Sequence, residues 1–257
     1  RNGQITGLNT NGRRLKDPAF VQSLVEAGLD HVQITLESHD AGIHDRMVAG
    51  MGAWQETVAG IRNALRSKLY VMTNTTLLVH NSPAMRETLE FLAELGVPTV
   101  GLNALIYSGH GAEAGSGLPE SSLPALLNVA REMTDRHGQR LIWYTPTRYC
   151  EFDPLMLDLG VKGCTAALYA MCIEPDGAVL PCQSYYQPLG YLPRDTWNSI
   201  WNHPLALSLR ERRDVPAACR DCSILDVCGG GCPLSRQAHP EVSPEPVHSM
   251  LEYREVR

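Results

Sequence analysis

Residues 70–106 read YVMTNTTLLVHNSPAMRETLEFLAELGVPTVGLNALI. The run from Tyr70 to Val79 is rich in Val and Thr, the composition of a strand. Ser82-Pro83 then punctuates the chain. It is expected to cap a helix carried by Met85, Leu89 and Leu92 and stopped at Gly96. Val100 to Ile106 is strand again. Strand, helix and strand in so short a span make a βαβ unit, whose strands run parallel because the helix carries the chain back to its starting edge.

The alternation extends outward in both directions. Upstream, Ile5 to Asn9 is a short strand, and Asp17-Pro18 starts a helix with Phe20, Val21, Leu24 and Val25 on its apolar face and Gly28 at its end. His31 to Leu36 is strand, and Trp54, Val58, Ile61 and Leu65 have helical spacing. Downstream, Leu123, Leu126, Leu127, Ala130 and Met133 form a helix ending at Gly138, and Leu141 to Tyr144 is a last short strand. This predicts an α/β fold with a mainly parallel sheet and its helices packed outside. Such sheets bind ligands at the carboxyl ends of their strands. The polar strand ends therefore stand out: Asn9-Thr10-Asn11-Gly12, Thr35-Leu36-Glu37-Ser38, Asn74-Thr75-Thr76 and Asn103. Each also has the composition of an ordinary turn or helix cap.

The whole chain has 257 residues, 44% apolar and 19% charged, enough to bury a core without staples. Its 22 basic and 28 acidic residues give a net charge of -6, which argues against a nucleic-acid partner. No run of 18 apolar residues is present, so no membrane span is expected. Near residue 147 the texture changes: Gly, Pro and Cys rise and helical periodicity fades. We place the boundary there, with domains 1–146 and 147–257. Beyond it, Leu192 to Arg213 carries one helical segment with Trp197, Ile200, Trp201, Leu205 and Leu209 on one side.

All eight cysteines lie after residue 149. A secreted disulfide scaffold would be small and would spread its bridges through the fold, so metal or iron–sulfur ligation in a reducing, cytoplasmic setting is expected. Cys219, Cys222, Cys228 and Cys232 are separated by two, five and three residues, with Gly229, Gly230 and Gly231 letting the backbone wrap tightly. Upstream, Cys172 and Cys182 flank a hairpin turning at Asp176-Gly177, and Cys164 precedes it. Three plainer readings stand beside this one: a structural zinc on the four close cysteines, a core thiol at Cys172, and a structural role for Cys150.

The order Cys164, twelve residues, Gly177, four residues, Cys182, and then the two-five-three pattern resembles the signature of the SPASM domain, which follows a radical SAM partial barrel. Trp197 to Trp201 and Leu209-Arg210 resemble the lead-in to that signature. Thr10-Asn11-Gly12 resembles the exit of the third barrel strand, and Gln33 to Glu37 with His44-Asp45 resembles the fourth. The resemblance implies a parallel (β/α) partial barrel, TIM-barrel-like with strands 3–6 present, followed by a small cysteine-rich α+β domain. It implies an enzyme that cleaves S-adenosylmethionine reductively to a 5′-deoxyadenosyl radical. The substrate would be a peptide or protein side chain; a tetrapyrrole-type small molecule or a non-catalytic zinc module are the alternatives. A flavodoxin or ferredoxin would donate electrons.

Carried over residue by residue, Cys164, Cys182 and Cys232, with Cys172 as fourth, match ligands of one auxiliary [4Fe-4S] cluster. Cys219, Cys222 and Cys228 match those of a second. Relatives complete the second with a later cysteine; here Glu245-Pro246-Val247-His248 takes that place, so His248 is a candidate fourth ligand, with an open iron site or a surface histidine as the alternatives. Thr35, Asn74, Asn103 and Asn11 match the S-adenosylmethionine region. Val48 stands where relatives often carry an arginine, and Gln183 stands where sulfatase-maturing relatives carry an aspartate base, which disfavours that activity. The Cys-x3-Cys-x2-Cys motif of a third, catalytic cluster does not occur; the expectation is that it lies in missing N-terminal βα units and that this chain alone would be inactive.

Overall fold

The computed structural model describes residues 2–238. The described residues divide into two compact units, one of residues 2–105 and 116–145, the other of 106–115 and 146–238.

The first unit is a parallel sheet of β1 (Gly7–Thr10), β2 (His31–Thr35), β3 (Tyr70–Leu77), β4 (Thr99–Ala104) and β5 (Arg140–Trp143), in that spatial order. Every neighbouring pair is parallel, as helical crossovers require. The crossovers carry α1 (Pro18–Ala27), α2 (Ala41–Met47), α3 (Ala53–Leu65), α4 (Met85–Glu94) and α5 (Leu123–Arg136). Strand alternation splits the sheet into two faces. Val32, Ile34, Val71 and Leu77 are buried with Ile61, Leu89, Leu92, Leu127 and Met133 from the helices. Gln33, Thr35, Met72, Asn74 and Thr76 alternate with them and are half-buried on the opposite face.

Local chemistry accounts for most element ends. Asp17 caps α1 by accepting from the Ala19 amide at 2.9 Å, as expected. Ser82 does not cap α4: it lies within a 3-10 turn (Ser82–Ala84), and no side-chain cap precedes α4. Asn81 fixes that corner instead. Its Oδ1 accepts from the Leu78 amide, and its Nδ2 donates to the carbonyls of Glu37 and Thr76, all within 2.8–2.9 Å. Three carbonyl and amide groups of a buried corner are thereby satisfied by one side chain.

Helix α3 approaches the β1 exit closely at Gly60. A Cβ there would sit 2.2 Å from the Gly12 carbonyl oxygen and 3.1 Å from Leu15 Cβ. Gly60→Ala is expected to destabilise the fold by about 2 kcal/mol despite alanine's better helix propensity, read as a lowered urea midpoint at unchanged slope. An unchanged midpoint would refute this close approach.

The second unit holds a three-stranded antiparallel sheet, β6 (Cys172–Ile173), β7 (Ala178–Leu180) and β8 (Gly190–Tyr191). The hairpin expected at Asp176-Gly177 joins the first two. Val179, Leu189, Ile200 and Ala206 are buried together as its core. The helical segment expected between Leu192 and Arg213 is two helices, α6 (Trp197–Trp201) and α7 (Pro204–Arg210). Pro204 lacks an amide hydrogen and starts the second, which the His203 side chain caps by accepting from Leu205 N. Trp197 and Trp201 consequently pack on each other at the surface, with the Arg210 guanidinium 4.3 Å from the Trp201 ring centre. Only Ile200 of the three α6 apolar residues is fully buried.

Short helices α8 (Ala217–Arg220) and α9 (Leu225–Cys228) carry Cys219 and Cys228, Cys222 lies between them, and Cys232 immediately precedes α10 (Pro233–Ala238). No helix among the described residues is long and apolar enough to cross a membrane.

Candidate functional site: a polar strand rim and two cysteine neighbourhoods

The polar strand ends converge as register dictates. Thr35 is paired with Asn74, Asn74 with Gly101, and Thr76 with Asn103, so these residues form two adjacent rows near the carboxyl ends of β2, β3 and β4. Asn103 Nδ2 donates to the Ala104 carbonyl at 3.0 Å and to Thr76 Oγ1 at 3.3 Å. The amide oxygens of Asn74 and Asn103 are buried and meet no protein donor. Buried acceptors are normally paired, so these two fit a polar ligand or ordered water at the rim. Asn11 lies just past β1, where its side chain accepts from the Arg13 amide at 3.2 Å and its carbonyl accepts from the Thr57 hydroxyl at 2.8 Å.

Sequence reasoning assigned no role to Glu37, which follows Thr35 by two residues. Its side chain is 9% exposed, and burial raises its pKa from 4.5 to about 7, against the lowering effect of the Thr76 amide that donates to Oε2 at 2.8 Å. The signal was its place in a polar strand end; its protonation depends on burial that no local pattern reveals. The His44-Asp45 pair has structural work. The Glu37 amide donates to His44 Nδ1 at 3.1 Å, and burial lowers the pKa of that imidazole. Asp45 accepts from the amides of Gly52 and Trp54 at the start of α3, which holds its carboxyl below the usual range.

In the second unit all eight cysteines are free thiols. They fall into two neighbourhoods, visible in which sulfurs perturb one another. Cys164 is pushed up by burial and then by Cys232 and Cys182, Cys232 by burial and by Cys182, and Cys172 by burial, Glu174 and Cys182. Cys219 is pushed up by burial and then by Cys228 and Cys222. Cys150 belongs with this second set: burial, then Cys228, Glu151 and Cys219 push its thiol up to about 11. Cys172 is half-buried rather than a core thiol, with its sulfur 3.7 Å from Glu174 Oε1.

Backbone amides already address these sulfurs. The Ala166 amide hydrogen-bonds Cys164, and those of Ser235 and Leu234 hydrogen-bond Cys232. The Tyr149 amide lies 3.4 Å from Cys228 Sγ. Gly229, Gly230 and Gly231 all take positive φ (68°, 70° and 74°), a left-handed run that aims Cys228 and Cys232 at different neighbourhoods. Arg236 closes that loop by donating to the Gly230 and Gly231 carbonyls at 2.9 and 3.1 Å.

Among the described residues no three Cys, His, Asp or Glu side chains converge as they would on a single ion. Zinc draws its sulfurs to about 2.3 Å from one centre, whereas an iron–sulfur cluster takes thiolates at the corners of a larger body. An all-thiol donor set in two groups, supplied with amide donors, fits clusters. His248 lies outside the described residues.

Two turns of the second unit, around Ser108 and around Tyr185-Tyr186, come together. Ser108 Oγ donates to the Ser184 carbonyl at 2.5 Å, and Gly109 approaches the ring of Tyr186, which is itself exposed.

The parallel sheet and the cysteine-rich second unit resemble a radical SAM barrel followed by a SPASM domain, and family models match both parts. The radical SAM superfamily profile matches residues 1–92, and that of SPASM, an iron-sulfur cluster-binding domain, matches residues 164–223. Among relatives, the chain is 25% identical over 240 residues to the PqqA peptide cyclase of Ruegeria pomeroyi, covering 90% of this chain and 62% of that protein. It is 23% identical over 246 residues to the AdoMet-dependent heme synthase of Methanosarcina barkeri, covering 87% and 68%. Among solved structures, Streptococcus suis SuiB bound to its precursor peptide SuiA superposes with a TM-score of 0.72 at 18% identity, over 93% of this chain and 57% of that one. The chain thus spans 62% of the length of the peptide cyclase.

Proposed function

We propose that the chain is part of an enzyme that cleaves S-adenosylmethionine reductively and modifies a peptide or protein side chain. The observation that carries this reading is the pair of cysteine neighbourhoods, eight free thiols in all, in a domain of the iron–sulfur binding class. When bound, the clusters and S-adenosylmethionine supply one-electron transfer and hydrogen abstraction. The chain's own residues bind and orient. Cys164, Cys172, Cys182 and Cys232 hold one auxiliary cluster, and Cys219, Cys222 and Cys228 hold most of another. Thr35 offers a hydroxyl and Asn74 and Asn103 offer unpaired amide oxygens to the ribose and aminoacyl groups of S-adenosylmethionine. Asn11, engaged in the turn after β1, shapes that rim and contacts the ligand through its remaining amide protons.

The peptide class is favoured because a peptide cyclase and a precursor-peptide complex stand among its likenesses. The heme synthase relative supports a second reading, a tetrapyrrole-type substrate. An electron carrier of flavodoxin or ferredoxin type fits the chemistry of either.

Anaerobic purification and reconstitution of the chain tests the cluster reading. We expect a brown protein with about eight irons and matching sulfide, as two four-iron clusters require. A colourless protein holding one zinc would overturn it. Because a cysteine thiol is protonated at neutral pH, and burial pushes Cys150, Cys164 and Cys232 further up, cluster uptake should also release protons into a weakly buffered medium.

A further inference from the structure

Three cysteines of the second neighbourhood, Cys219, Cys222 and Cys228, leave one corner of a four-iron cluster without a thiolate. We propose that Cys150, far upstream of the close-spaced motif, supplies that fourth ligand. This rests on the cluster-binding reading above and names a residue for it.

The geometry comes from the chain on either side of Cys150. The Tyr149 amide lies 3.4 Å from Cys228 Sγ, and Cys228 Sγ in turn lies 3.7 Å from the Thr147 carbonyl oxygen. The segment 147–149 is thus laid directly against the sulfur of Cys228, the one buried residue among the eight cysteines, and Cys150 is the next residue. Both ends of this contact are fixed. The Tyr149 hydroxyl accepts from the Lys162 amide at 2.9 Å, and Thr147 N donates to the Lys162 carbonyl at 3.0 Å. Arg148 pairs with Glu151 at 3.1 Å, and its side chain fills the space where a Gly231 Cβ would sit, 2.7 Å from Arg148 Cγ. Residues 147–151 are therefore held against the loop that carries Cys228 and Cys232.

Two further facts point the same way. The sulfurs that act on Cys150 are Cys228 and Cys219, members of the incomplete set, and no cysteine of the other neighbourhood is among them. An amide already directed at Cys228 Sγ is the kind of donor that tunes a ligating sulfur. Cys150 is half-buried, so a cluster can reach it without the chain unfolding.

The experiment compares the reconstituted parent chain with Cys150→Ala, Cys150→Ser and His248→Ala. We expect both Cys150 variants to lose iron and, after mild oxidation, to give the EPR signature of a three-iron cluster in place of one four-iron component. The other component serves as internal evidence that the chain has folded. His248→Ala should match the parent. An unchanged four-iron component in the Cys150 variants, or the three-iron signature in His248→Ala, would overturn the assignment. A parent chain without iron would instead overturn the cluster reading itself, and the assignment with it. A measurement that needs no variant reads the same point. With clusters in place Cys150 should resist iodoacetamide, and after anaerobic chelation of iron it should react; equal alkylation in both states would refute ligation.

Discussion

Alanine at Cys228 and alanine at Cys232, only four positions apart, are expected to damage different clusters. Each variant should lose iron from one cluster and keep the other, and each should remove a different four-iron component of the reduced EPR spectrum. The reason is the run of three left-handed glycines between them, closed by Arg236 on the Gly230 and Gly231 carbonyls. Cys232 faces Cys164 and Cys182, whereas Cys228 faces Cys219 and Cys150. Loss of the same spectral component in both variants would show that the two sulfurs share one cluster. Cys164→Ala should then behave as Cys232→Ala does, and Cys222→Ala as Cys228→Ala does.

The second large effect concerns Glu37. Its carboxyl is held protonated to about pH 7, whereas an ordinary glutamate titrates at 4.5. The folded state binds this proton more tightly than the unfolded state. The contribution of Glu37 to stability is therefore full below pH 4.5 and is lost as pH rises through about 7. Across that window the loss is about 3 kcal/mol. Glu37→Gln keeps an oxygen for the Thr76 amide and has no proton to lose. The variant should match the parent near pH 4.5 and exceed it by about 3 kcal/mol at pH 8, measured as the difference between their urea unfolding free energies. Buried His44 acts in the opposite sense: its pKa is lowered, so its contribution falls away as pH drops below 6.5. The difference between parent and variant cancels that opposing term. Equal pH dependence of the two proteins would refute the raised pKa.

The alternation of periods made most of the first unit legible. Val71, Thr73, Thr75 and Leu77 repeat every second residue, Met85, Leu89 and Leu92 repeat at helical spacing, and each period is a local consequence of backbone geometry. Asp17 and the polar strand ends were legible for the same reason. The Ser82 cap was misread because several residues in that stretch have turn chemistry, and only packing selects Asn81 as the one that satisfies Glu37, Thr76 and Leu78. The helix break before Pro204 was readable from the proline itself and was overridden by an apolar periodicity that continues across it.

The sequence by itself determined the order of strands and helices, the side of the sheet where polar ends gather, and the family that the cysteine spacing announces. These depend on near neighbours and on period, which one chain carries in full. Only the tertiary structure decided which sulfurs keep company, that Cys150 lies against the loop of Cys228, and that Glu37 is buried enough to hold a proton near neutrality. Those properties arise between residues as far apart as 149 and 228, or from the removal of water by elements elsewhere in the chain, and no local pattern encodes either distance or dielectric.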